Sequence, residues 1–449
     1  MARYPRGISS GVRAVYAAQH QNAPPRAAAK PQAPAKDGGG ANVQMNDDSN
    51  PPLPQNETAV AYNVSDPKIA VAAANDYVSG GVVVMRTSDS GKHWDSTRIR
   101  GTGDFCTGGD PGVAYSRRDH VFYISQLCFF RALPFSGVQV YKSVDSGQTW
   151  TPGRQAARAA SNCPLQLSYT DSIPTENPAL STWSHTAIQP DNPGGDGTGS
   201  SANQFSDPVV ETDGTLDVGF VSENCNDSFD PHLLFQKSTD GGQTFLPSAV
   251  QIDKPGQYAD FQDAANDDTL PPTNFRAPNT PSLAYSPSTG SLLFVYQNNV
   301  NRPVSKADIS FQTSTDGGLH WSDASFLSTT PSGQPAANDQ FFPWAAADES
   351  GRFYVIWFDR RLDPANVRIN TWQAVSSNDA ASFSSAKISS QDWDPNLGFF
   401  TSGAFIGDYN GLAASTDAVY AVWTDGRNNS IGETGLGETD IFTKVQKNP

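Results

Sequence analysis

Acidic and basic side chains recur in this 449-residue chain at matching places, the ends of short apolar runs. Asn56-Glu57, Asp110-Pro111, Asp207-Pro208, Thr280-Pro281, Phe342-Pro343 and Asp408-Tyr409 each open one kind of run. Asn75-Asp76, Glu223-Asn224, Asn298, Asp359-Arg360-Arg361 and Asp425-Gly426-Arg427 each close another. Carboxylates in such a set can move protons, hold calcium, or accept hydrogen bonds from sugar hydroxyls. Arginine forks suit a substrate carboxylate. A tyrosine with a base beside it can be a nucleophile. The same Asp and Asn residues also cap turns, and a tyrosine at a strand end also packs. Position decides between these uses, and position is set by the elements that carry the residues.

Five segments repeat a turn template: Ser88 to Trp94, Ser143 to Trp150, Ser238 to Phe245, Ser314 to Trp321 and a worn copy, Ser376 to Phe383. Each reads Ser-x-Asp-x-Gly-x-Thr/His-aromatic with small departures. Asp and Ser bond nearby backbone in a tight turn, and Gly supplies positive φ. Upstream of each box lie two strand-like pieces rich in β-branched and aromatic residues, such as Phe353 to Arg361 and Val419 to Arg427. The whole unit recurs six times, roughly over 55–104, 105–160, 161–252, 275–335, 338–395 and 400–449. A repeat of this length, four strands to a unit, is a propeller blade. The fold predicted is an all-β, six-bladed propeller over 46–449. The last unit lacks a fourth strand, which residues around 42–52 are expected to supply. Residues 1–45, rich in Ala, Pro and Gly, read as disordered. An insertion is expected near Asp171 to Gln204.

Antiparallel alternation puts the starts of first strands and the ends of second strands on one face, with the boxes on the other. The first face collects Glu57, Asp76, Asp110, Asp207, Asp359, Arg360, Arg361, Asp408, Tyr409 and Arg427, and a neighbouring loop adds Arg276. Such convergence at a propeller mouth is the expected binding site. The four cysteines fall on that face as well, and disulfides Cys106–Cys128 and Cys163–Cys225 are expected, although connectivity is not fixed by sequence. No Cys-x-x-Cys or His cluster marks a metal site, so no cofactor is expected beyond an optional calcium at the acidic mouth.

Composition narrows the partners. The formal charge of −16 argues against nucleic acid and anionic membranes. No apolar run approaches the roughly 18 residues of a membrane span. No signal peptide is evident at the start, while an even cysteine count suits an exported chain.

The boxes together with six blades resemble the sialidase superfamily over about 50–449. Gly407-Asp408-Tyr409-Asn410-Gly411, Trp423-Thr424-Asp425-Gly426-Arg427 and Phe342-Pro343-Trp344 look like bacterial secreted sialidase-like proteins of the Asp-box type. The resemblance implies a secreted protein that binds glycans, expected to be a monomer. It implies a tyrosine nucleophile with a glutamate beside it, an aspartate acid/base and three arginines clamping a sugar carboxylate. Carried onto this chain, these are Tyr409, Glu57 and Asp76, with Arg276, Arg360 or Arg361, and Arg427 as clamp. The family's first-blade arginine has no counterpart here, where Asn56-Glu57-Thr58 stands. Three functions remain open: release of terminal acidic sugars, non-catalytic glycan or protein binding, and hydrolysis or lyase cleavage of neutral sugars by carboxylates such as Asp110 and Asp359.

Overall fold

A computed structural model describes residues 42–47, 54–77, 81–99, 106–130, 135–151, 153–160, 165–169, 184–189, 202–223, 231–259, 269–270, 272–273, 275–301, 307–397, 405–428 and 438–447. The chain is an all-β propeller of six four-stranded antiparallel blades. Blade 1 is Gln55–Asn63, Asp66–Asp76, Gly81–Thr87 and Asp95–Ile99. Blade 2 is Cys106–Ser116, Val121–Phe130, Phe135–Ser143 and Arg154–Ala160, and blade 3 is Ala202–Val210, Leu216–Glu223, His232–Ser238 and Val250–Gln251. Ser282–Tyr285, Leu292–Asn298, Asp308–Ser314 and Ser325–Phe326 make blade 4. Gln340–Ala347, Phe353–Asp359, Asn370–Ser376 and Ser384–Lys387 make blade 5. Blade 6 takes Gly411–Ala414, Ala418–Asp425 and Asp440–Lys447, and its fourth strand is Val43–Gln44 from the other end of the chain.

The second strands explain why the blades stack. Leu292–Asn298, Phe353–Asp359 and Ala418–Asp425 are buried at every residue. A strand covered on both faces reads as continuous apolar sequence rather than alternation. Here the covers are the neighbouring blades: one apolar cluster joins blades 1 and 2, others join 3 to 4, 4 to 5, 5 to 6 and 6 to 1.

The boxes tie the same stack together. In the second box Asp145 Oδ1 accepts from the backbone N–H groups of Gln148 (3.0 Å) and Thr149 (2.8 Å), and Ser143 Oγ accepts from Gly147 N at 2.8 Å. The other copies repeat this pattern, and the first copy shows that its opening residue is Thr87 rather than Ser88, since Thr87 Oγ1 accepts from Gly91 N at 2.9 Å. Glycine is required late in the turn. Gly318 has φ 84°, and a Cβ there would lie 2.1 Å from the Phe235 ring of the preceding blade.

An extra hairpin, Leu165–Tyr169 with Ser184–Gln189, precedes blade 3. It begins before the insertion expected from the sequence, much of which lies outside the described residues. Val43 and Gln44, which the sequence places in a disordered leader as well as in a closing strand, belong to the closing strand. No disulfide is present among the described residues. Register puts Cys128 opposite Gly108 and Cys106 opposite Phe130. The two cysteines are thus diagonal neighbours on adjacent strands rather than directly opposite. Cys163 and Cys225 lie outside the described residues. No helix is long and apolar enough to cross a membrane among the described residues.

Candidate functional site

Strand register defines equivalent positions around the ring. Ala59, Gly112, Asp207, Ser282, Trp344 and Gly411 pair with Ala73, Ser125, Gly219, Val295, Ile356 and Val422. The partners in blades 1, 4, 5 and 6 lie three residues before the end of their second strands, and the shared register shift places Gly112 and Asp207 in the same series as Ala59 and Trp344. Two residues earlier in the chain than these first-strand positions stand Glu57, Asp110, Phe205, Thr280, Phe342 and Tyr409, with Thr280 and Tyr409 just ahead of their strands. Tyr409, Glu57 and Asp110 therefore hold the same place in three consecutive blades, 6, 1 and 2.

In four of the blades this place is a β-bulge, with register shifts at Asn56/Ala59, Gly109/Gly112, Gln204/Asp207 and Phe341/Trp344. The bulged residues have left-handed backbone without being glycine: Glu57 φ 58°, Asp110 φ 51°, Phe205 φ 52° and Phe342 φ 53°. Bulges re-aim side chains and cluster near functional sites. Two carboxylates held in strained backbone side by side form an arrangement that structure alone would fill more cheaply with glycine.

Asn75 links the two acids. Its Nδ2 donates to Glu57 Oε2, and its Oδ1 accepts from the Asp110 backbone N–H at 2.6 Å. Glu57 is buried and its carboxyl is raised well above the usual range. Burial is the main cause, then the charges of Asp110 and Asp408 and a hydrogen bond shared with Asp110, with Arg276 opposing. Asp110 stays partly exposed. Burial, followed by the charges of Glu57, Asp110 and Asp408, pushes the Tyr409 phenol well up. The same burial and charges from Glu57 and Asp110 raise Tyr77, a member of this cluster that the sequence did not single out. Trp344 lies against Tyr409, with ring centroids 5.7 Å apart.

Gly407 brings the Tyr409 segment in. It has φ 93°, and a Cβ would lie 2.9 Å from Glu57 N and 3.0 Å from Glu57 Cγ. Next to it, Asp408 takes both arms of Arg276, with Arg276 Nε donating to Oδ1 at 3.1 Å and Nη2 to Oδ2. Burial raises Asp408 while Arg276 opposes the shift. Among the candidate arginines, Arg276 is the one brought to this cluster.

The other candidates are placed elsewhere. Arg361 folds back on Asp359, with N at 2.8 Å and Nε at 2.9 Å from Oδ1, and lies 4.1 Å over the Trp372 ring. Trp357 Nε1 donates to the same Asp359 at 2.8 Å. Blade 6 repeats this latch with Trp423, Asp425 and Arg427, the guanidinium lying 4.1 Å over Phe442. Asp76 occupies the equivalent place in blade 1 and is held by Arg98 Nε at 2.8 Å and Gln55 Nε2 at 3.2 Å. Arg360 is fully buried between Phe275 and Phe341 and donates to Thr273 Oγ1 at 2.6 Å. Burial brings it down to about 10. Asp207 joins blades 3 and 4 by accepting from Ser282 Oγ at 2.7 Å and Leu283 N at 2.8 Å, and burial raises it to about 6. Asp76, Asp207, Asp359, Arg360, Arg361 and Arg427 are thus bound into the scaffold, while Glu57, Asp110, Arg276, Asp408 and Tyr409 converge. No group of three metal-ligating side chains suited to an ion occurs among the described residues.

No family model and no curated protein matches this sequence. Solved structures do match. A protein of unknown function from Dyadobacter fermentans is 12% identical over 91% of this chain and 98% of its own, with a TM-score of 0.51. A mutant α-L-arabinofuranosidase from Fusarium graminearum, in complex with an iminosugar inhibitor, is 13% identical over 90% of this chain and 97% of its own, TM-score 0.49. A mutant NanB sialidase from Streptococcus pneumoniae is 8% identical over 88% of this chain and 68% of its own, TM-score 0.43. The fold thus defines a six-bladed β-propeller with glycoside hydrolases among its structural neighbours. At such identity the likeness is one of fold and does not extend to the reaction.

Proposed function

We propose that the chain is a glycoside hydrolase acting on terminal neutral sugars at the arc of blades 6, 1 and 2. The observation that carries this reading is the convergence of Glu57, Asp110 and Tyr409 at one register position. A buried carboxyl that holds its proton more tightly than usual, set beside a second carboxyl, suits a general acid and its partner. Glu57, buried and with its carboxyl raised, is the general acid that protonates the leaving oxygen. Asp110, partly exposed, bonds to the anomeric carbon as the leaving group departs, and a water that gives its proton back to Glu57 then displaces it. Tyr409 keeps its phenolic proton and donates it to a sugar oxygen. The two carboxyls share a hydrogen bond, closer than the about 5–5.5 Å of a retaining pair, so the reaction requires them to part as the sugar enters.

A neutral sugar is favoured over sialic acid because three of the four candidate arginines, Arg360, Arg361 and Arg427, are bound into the scaffold. The fourth, Arg276, is matched by Asp408. A second reading follows the sialidase resemblance: Tyr409 is the nucleophile and Glu57 takes its proton. Their equivalent positions in adjacent blades favour it.

A panel of 4-nitrophenyl glycosides of neutral pentoses and hexoses, with 4-nitrophenyl N-acetylneuraminide beside it, tests the proposal. Turnover of a neutral glycoside is expected, with Tyr409→Phe slowing it by about tenfold, as for one lost hydrogen bond. Loss of more than about a thousandfold in Tyr409→Phe, with the neuraminide as substrate, would support the second reading. No turnover across the panel would sink both.

A further inference from the structure

We propose that the Phe205 ring is the apolar wall of the mouth, stacking on the face of the sugar bound at the acidic arc. This rests on the glycosidase reading above. Phe205 holds in blade 3 the place that Glu57, Asp110 and Tyr409 hold in blades 1, 2 and 6. It sits in the same bulge with φ 52°. A bulky side chain in left-handed backbone is an outlier, and such strain persists where function or packing fixes it.

Packing fixes the comparable Phe342. Phe342 is fully buried and packs edge-on against Phe341 at 5.2 Å. Phe205 stays partly exposed. With Thr280 and Phe342 buried, the remaining mouth positions are a polar arc of Tyr409, Glu57 and Asp110 and an aromatic at Phe205. A sugar ring has that same division, with hydroxyls around its rim and C–H bonds on its face. The electron-rich face of an aromatic ring attracts such C–H bonds.

The test uses the full chain with Phe205→Gly and Phe205→Tyr on the same 4-nitrophenyl glycoside panel, with thermal melts alongside. Phe205→Gly is expected to raise KM by about tenfold, the scale of one lost aromatic contact, while kcat stays within about threefold because the reacting groups are untouched. Its Tm is expected to equal or exceed that of the wild type, since glycine relieves the left-handed strain. Phe205→Tyr keeps the ring and should keep KM. Wild-type turnover with KM unchanged in Phe205→Gly overturns this proposal alone, as does an equal rise in both variants. A Tm that drops with KM unchanged would make Phe205 a packing residue. No wild-type turnover on any glycoside overturns the proposal together with the reading it rests on.

Discussion

Glu57 and Asp110 owe their pairing to backbone that neither residue prefers. Each sits at positive φ, and Asn75 spans them, donating to one carboxyl and accepting from the backbone of the other. Because burial and neighbouring charge raise Glu57 above its usual 4.5, the folded chain binds this proton more tightly than the unfolded chain does. Stability from that source is complete below the usual value and is lost as pH rises through the raised one. Glu57→Gln keeps the shape without the charge. Its Tm should therefore gain on the wild type as the pH is raised from 4.5 upward. Parallel Tm curves for the two proteins would show that Glu57 ionises as an ordinary glutamate.

At the scale of elements, the boxes hold the blades together, as the sequence implied, and the latches use residues that the sequence assigned to chemistry. The box glycines differ in what they avoid. Gly318 faces the Phe235 ring, whereas a Cβ on Gly241, φ 76°, would meet nothing within 4 Å. Gly241→Ala should cost only the backbone strain, about 1 kcal/mol, and Gly318→Ala about 2–4 kcal/mol once the clash is added. Urea unfolding reads both, and equal losses would refute the close approach between blades. The Asp207 tie of blades 3 and 4 gives a second test. Its carboxyl is raised from 3.8 to about 6, so the wild type should lose stability between those pH values. Asp207→Asn should flatten that slope, and an unchanged slope would place the titration elsewhere. The arginines of the latches were legible as residues at strand ends. Their use was not, because the fold-back of Arg361 and Arg427 onto Asp359 and Asp425 depends on side-chain geometry that strand patterning does not carry.

At the scale of the whole molecule, the six blades were legible because both faces of each second strand are covered, leaving apolar runs at a regular spacing. The closing strand was legible by counting, since the last blade was one strand short. Asn46 secures that closure, its Nδ2 donating to Gln55 Oε1 and Asp440 Oδ1 at 2.8 Å each, while Met45 is buried. Removing residues 1–47 should lower stability by several kcal/mol, read as the urea midpoint. An unchanged midpoint would show that the ring holds without its clasp. The mouth was legible as a face but not as a register. Reading Asp207-Pro208 and Asp408-Tyr409 as counterparts of Asp110-Pro111 shifts them by two residues and one. A bulge adds a residue without a signature, and a shift of two preserves alternation. In the true register Asp110 matches Glu57 and Tyr409, and that match is the basis of the proposed site. The most direct test compares kcat/KM of Asp110→Asn with that of Asp359→Asn on the glycoside the wild type cleaves. A loss of at least about a thousandfold for Asp110→Asn, with the folded fraction of Asp359→Asn keeping near wild-type turnover, is the result predicted. Full activity in Asp110→Asn, or equal loss in both variants, would contradict a reaction centred on the arc of blades 6, 1 and 2.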